Sequence, residues 1–170
     1  RPPKVQTIEE VCIVAGQTLT FGVTATDPDG ASQKVKLTAL GGPFVVETGK
    51  ATFNVSPNFE TPPVNGTFSW TPDCNAINKE YYSVIFKAVD NYSDTTGLAD
   101  LKTVRIKVVG PGPENLTGES SLNQIILKWD DPYLCQNTNK NYFKGFNVWR
   151  RVSSNSFQPD TCNPTMEGKG

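Results

Sequence analysis

Two acidic groups are the first residues in this chain whose types and spacing suggest chemistry. Asp27-Pro28-Asp29-Gly30 follows the alternating run Thr18 to Thr26, and Asp90-Asn91 closes a second run that begins at Tyr81. Carboxylate and amide oxygens are hard ligands, and a Ca²⁺ ion takes six to eight of them. If the two strand ends meet, Asp27, Asp29, Asp90 and Asn91 could supply part of such a set, with Glu9 or Glu10 adding to it. The plainer reading is that Asp and Asn stand here because their side chains close turns on their own backbone.

Sulfur is the second chemistry. Cys12, Cys74, Cys135 and Cys162 lack Cys-x-x-Cys spacing, and the chain has no His to complete a zinc site or to act as base for a nucleophilic thiol. Disulfides are therefore expected over four buried thiols. Of the three possible pairings, Cys12 with Cys74 and Cys135 with Cys162 is preferred, because each bond then stays inside one expected module. Chain-entropy arguments give such bonds roughly 3–4 kcal/mol each. They imply an oxidising, extracellular setting, at a cell surface or in a secreted protein.

Aromatic rings are the third. Trp149, with Tyr81, Tyr92, Tyr133 and Tyr142, offers faces on which a sugar could stack. If Phe146 and Val148 face a core, the pleat of a strand turns Trp149 outward; the alternative is that a neighbouring module or the rest of its own domain covers it. No phosphate-cradling glycine loop and no nucleophile elbow occurs, and Asp130-Asp131 before Pro132 reads as a turn rather than as a glycosidase pair. A non-catalytic chain is expected.

Charge narrows the partners further. Sixteen basic against 17 acidic residues leave a net charge of -1, too small a field to draw in nucleic acid. No apolar run approaches membrane-spanning length, so membrane insertion is not expected. The first residue is Arg1 and no signal peptide is visible, so the chain is expected to be part of a longer precursor.

These residues need an all-β scaffold. Leu19, Phe21, Val23 and Ala25 alternate with threonines, Val35, Leu37 and Ala39 repeat the pattern, and Tyr82, Val84, Phe86 and Ala88 form a central strand. Arg1 to Thr7 is expected as an extended linker and Ile8 to Val14 as the first edge strand. Two weaker strands are expected between Phe44 and Val55, then a strand through Phe68 and Trp70, one helical turn within 75–80, and a seventh strand at Leu101 to Val109. Pairing is expected to be antiparallel. Residues 1–109 would form one sandwich and Gly110-Pro111-Gly112-Pro113, within 110–114, a linker. Residues 115–170 would form a second, incomplete module with strands at 115–118, 124–129 and 143–151. That module would be either truncated or completed by something outside this chain.

Three spaced motifs carry a resemblance: Phe21-Gly22-Val23-Thr24-Ala25-Thr26-Asp27-Pro28-Asp29-Gly30, then Gly66-Thr67-Phe68-Ser69-Trp70-Thr71-Pro72, then Tyr82-x-Val84-x-Phe86-x-Ala88-x-Asp90-Asn91. Residues 8–109 resemble a dystroglycan-type cadherin-like or bacterial immunoglobulin-like repeat. Asn123 to Trp129 and Gly145 to Arg151 resemble the opening strands of a fibronectin type III module. The pair is similar to segments of large surface proteins associated with gliding motility and type IX secretion in bacteria. That resemblance implies a structural or adhesive role beside further β-sandwich modules of the parent chain, with surface glycans or secretion machinery as partners. The alternatives it leaves are a carbohydrate-binding accessory module of a secreted enzyme and a fragment of type IX secretion cargo. It also implies calcium at the acidic strand ends, although Gly110 to Asn115 departs from the acidic linker of cadherins.

Asn54, Asn65, Asn91 and Asn115 begin Asn-x-Ser/Thr patterns that matter only in a eukaryotic secretory pathway. Asp94-Thr95-Thr96 resembles a short bacterial O-glycosylation signal.

Overall fold

The structure is a computed structural model that describes residues 1–92, 97–138, 143–150 and 160 of the chain. Its strands are β1 (Lys4–Gln6), β2 (Glu10–Val14), β3 (Leu19–Thr26), β4 (Val35–Gly41), β5 (Thr52–Asn54), β6 (Val64–Trp70), β7 (Tyr82–Asp90), β8 (Ala99–Val109), β9 (Thr117–Ser121) and β10 (Gln124–Lys128). Sheet order β1-β3-β6-β5 faces order β2-β8-β7-β4, and β9 and β10 form a separate two-stranded sheet. This is an immunoglobulin-like β-sandwich followed by a hairpin, and among the described residues there is no α-helix.

Alternation decides which side chains meet. Val23 and Ala25 of β3 and Val64, Phe68 and Trp70 of β6 face inward from one sheet. Val35 and Leu37 of β4, Val84, Phe86 and Ala88 of β7, and Val104, Ile106 and Val108 of β8 face them from the other. Phe68 is the hub: its ring lies 4.8 Å from Phe21, 5.8 Å from Phe44 and 6.2 Å from Phe86. Offset and edge-on packing of this kind adds about 0.5–1.5 kcal/mol per pair beyond the area buried. The Trp70 indole is buried and its Nε1 donates to the Gly49 carbonyl at 2.7 Å, so its one polar atom is satisfied. Gly66 is the gap that lets the Phe53 ring cross β6; a Cβ there would lie 2.4 Å from that ring.

Four expectations change. The first strand is two: β1 pairs antiparallel with β3, then the chain switches sheets and β2 pairs parallel with β8, so Lys4–Gln6 is not a linker and the sandwich is not wholly antiparallel. Pro2 and Pro3 exclude helix but not a strand behind them, and Val5 is buried. Between Phe44 and Val55 there is one strand, because Gly42–Phe44 forms a 3₁₀ turn and only Thr52–Asn54 reaches β6. The expected turn within 75–80 comes slightly earlier, at Cys74–Ala76, capped by the Asp73 side chain. Residues 143–150 join no sheet.

Candidate functional site

Asp27 accepts the Asp29 backbone N–H on Oδ1 at 2.8 Å, closing its own turn. Asp29 Oδ1 faces the Arg1 guanidinium at 3.3 Å, and that guanidinium also donates to the Pro28 carbonyl at 2.9 Å. Asp90 is 1% exposed, and its Oδ1 accepts from Leu98 N at 2.8 Å and Tyr92 N at 3.1 Å. Asn91 accepts from Lys34 N at 2.7 Å. Two buried oxygens, Asp27 Oδ2 and Asp90 Oδ2, carry no hydrogen bond, far short of the six to eight that Ca²⁺ takes.

Glu9 and Glu10 are spent elsewhere, on Lys102 at 2.8 Å and on Arg105 and Tyr81, along the parallel seam of β2 and β8. Among the described residues no three His, Cys, Asp or Glu side chains gather as a metal group. These positions do not fit a calcium centre as they stand. Asp27 and Asp90 accept backbone N–H groups of their own turns, whereas Asp29, Glu9 and Glu10 face cationic partners.

The cysteines correct the expected pairing. Cys74 is bonded to Cys135, across the 110–114 segment rather than within a module. Cys12 is also disulfide-bonded, and none of the described cysteines is free. Cys162 lies outside the described residues. Spacing alone could not reveal this, because proximity across a linker depends on how the second segment folds back.

Trp149 stands in the more open site. It is 55% exposed and lines a cleft of about 770 Å³ with Ser120, Asn123, Gln124, Ile125, Leu127 and Arg150. Two elements build this cleft. The β9–β10 hairpin supplies one wall, in register from Thr117 opposite Lys128 to Ser121 opposite Gln124, with Lys128 bound to Glu119 at 2.9 Å. The other wall is the segment 143–150, anchored through Phe146, whose ring lies 5.7 Å from Trp129, 4.9 Å from Tyr133 and 5.1 Å from Phe143.

Phe146 is inward as expected, but Val148 is 66% exposed and shares the cleft with Trp149. The pleat that would have separated them is absent, since 143–150 is not a strand. Chemically the cleft offers an indole face and aliphatic side chains, ringed by two amides, a hydroxyl and a guanidinium. Sequence reasoning missed Leu122, Asn123 and Gln124. Leu122 sits fully exposed at the hairpin tip with φ 45°, a conformation uncommon for a bulky residue. The available signal was the two-residue connection Leu122-Asn123 between segments able to pair.

The remaining aromatics divide. Tyr81 lies under Arg105, 4.9 Å from ring centroid to guanidinium, and donates to Glu10, which raises its phenol pKa. Tyr92 is exposed, Tyr133 is buried, and Tyr142 lies outside the described residues, as do Asp94-Thr95-Thr96.

No family model matches this sequence, and no curated protein does. Solved structures with a similar chain path include the sialic acid binding region of a Streptococcus sanguinis SK1 adhesin bound to 3'sLn, at TM-score 0.47 and 15% identity over 69% of this chain. The SrpA adhesin from Streptococcus sanguinis follows at TM-score 0.45 and 18% identity over 69%. Murine CRIg matches at TM-score 0.43 and 12% identity over 63% of this chain and 98% of its own. The chain spans 33% of the first adhesin structure and 63% of the second. With TM-scores below 0.5 and identities below 20%, these likenesses carry no further conclusion.

Proposed function

We propose that this chain is a non-catalytic, extracellular adhesive module of a large modular surface protein, of the kind associated with gliding motility, and that the Trp149 cleft is its contact surface for glycans. The cleft carries this reading. An indole face stacks on the apolar CH face of a pyranose, while the Asn123 and Gln124 amides and the Arg150 guanidinium stand around it to take up ring hydroxyls. The sandwich then serves as the spacer, and the Cys74–Cys135 bond suits an oxidising exterior. Adhesins among the solved structures of similar path agree with this reading without carrying it.

A glycan array probed with the native chain and with Trp149→Ala tests it. Binding to a defined sugar class, weakened roughly tenfold or more in the variant, about 1.4 kcal/mol, is the expected result. No glycan bound by the native chain, or equal binding by the variant, overturns it.

A further inference from the structure

The Gly110-Pro111-Gly112-Pro113 segment has the composition of a free connector, and neighbouring modules joined by such segments move relative to each other by default. Here it is tied on both sides. Cys74, at the start of the 3₁₀ turn beside the sandwich, is bonded to Cys135 beyond the connector, 61 positions along the chain. Tyr133, buried, donates its Oη to the Pro111 carbonyl at 2.7 Å, and burial raises its phenol pKa above the ordinary value.

Gly110 is the seat of that ring. A Cβ at position 110 would lie 3.0 Å from Tyr133 Oη and 3.6 Å from Ile77 Cδ1, so a side chain there would require the phenol to shift by a few tenths of an ångström. Gln136 fixes the backbone of Tyr133 from below, accepting its N–H at 3.2 Å and donating its own N–H to the Tyr133 carbonyl at 2.9 Å. Phe143, 4.7 Å from the Tyr133 ring, passes the constraint on to Phe146 and the Trp149 segment.

We propose that this assembly is a fixed joint: the disulfide and the Tyr133 seat turn a Pro/Gly connector into a rigid elbow, so that sandwich and hairpin reorient as one body and the Trp149 cleft is held at one angle. The joint holds whether or not the cleft takes a glycan. Three chain segments that are distant in sequence meet in it, 74–77, 110–111 and 133–136. One of those contacts is covalent.

Double electron–electron resonance tests it, with spin labels on ketone-bearing unnatural residues at Val45 and Ser120, both exposed, so that no cysteine is used. The native chain should give one narrow distance distribution, and Cys74→Ser/Cys135→Ser should broaden it by roughly twofold or more, as expected of a released connector. A broad distribution in the native chain, or one equally narrow in the double variant, overturns the proposal. Should the double variant fail to fold, backbone NMR relaxation of the native chain decides. Amides of β7 and β10 must share one overall correlation time, and two distinct times sink the idea.

Discussion

Val84, Phe86 and Ala88 in β7 and Ile125, Ile126 and Leu127 in β10 are comparably apolar, yet the first three are wholly buried and the second three exposed. Composition does not separate them. What differs is a facing layer: β7 lies opposite β3 and β6 and has neighbours on both sides, whereas among the described residues β10 pairs with β9 alone. A two-stranded hairpin in water is marginal without a packed face. The sandwich is thus held by its own core, and the hairpin by its ladder, the Lys128–Glu119 pair and its attachment to the joint.

The sharpest way to break the comparison is to delete an equivalent side chain on each side of it. Phe86→Ala should cost about 3–5 kcal/mol in chemical denaturation, since transfer and cavity terms add in a core without slack. Ile125→Ala should change stability by less than about 0.5 kcal/mol, because its side chain is already in water. A large loss at Ile125 would show that a second layer covers β10 in solution.

Asp90→Ala is next in size. It removes the carboxylate that accepts from Tyr92 N and Leu98 N, leaving both without that acceptor beside a buried strand end, so about 2–3 kcal/mol should be lost. If Asp90 is a turn closure, EDTA leaves the melting temperature unchanged, whereas a calcium ligand would give a fall on chelation. The two measurements together separate the roles.

Much of the sandwich was legible in the residues because local pattern and tertiary role agree there. The threonine alternation of β3, the Asp27-Pro28-Asp29-Gly30 turn and the inward set Tyr82, Val84, Phe86 and Ala88 each follow from period 2 and turn chemistry. Legibility failed where non-local partners decide. Lys4–Gln6 is a strand only because β3 offers an edge, and Val11 and Ile13 pair parallel only because β8 lies beside them. The Cys74–Cys135 bond joins segments 61 positions apart, brought together where Tyr133 packs beside Gly110, a proximity that no spacing rule encodes. For the cleft, Trp149 was visible as a residue type, but its companions Asn123 and Gln124 enter through a hairpin turn read only as two separate strands.

A gain should be found at the hairpin tip. Leu122 holds a left-handed backbone with its side chain fully exposed, so Leu122→Gly should stabilise the hairpin by roughly 0.5 kcal/mol, relief of strain exceeding the entropy lost by glycine. Slower amide hydrogen exchange in β9 and β10, with no change in β7, is the expected signature. Exchange in the hairpin that stays the same or quickens would mean that the Leu122 side chain is held by something it touches in solution.

The smallest effect lies on the outer face of the sandwich, where β2 meets β8 without a core contribution of its own from the charged side chains. Hydrogen bonds from Tyr81 and then Arg105 hold the Glu10 carboxyl below its ordinary value of 4.5, and Lys102 does the same for Glu9. A depressed carboxyl contributes stability that is present above the ordinary value and is lost as pH falls through the lowered folded value. Melting followed downward from pH 5 should therefore drop more steeply in the native chain than in Glu10→Gln, with the two curves converging in acid. Because these groups stand in solvent, added salt should shrink the difference at neutral pH. Parallel curves across the whole range would mean that the β2–β8 seam rests on its backbone ladder alone, which would leave Val11 and Ile13, rather than the charged row, as what keeps the switched strand in place.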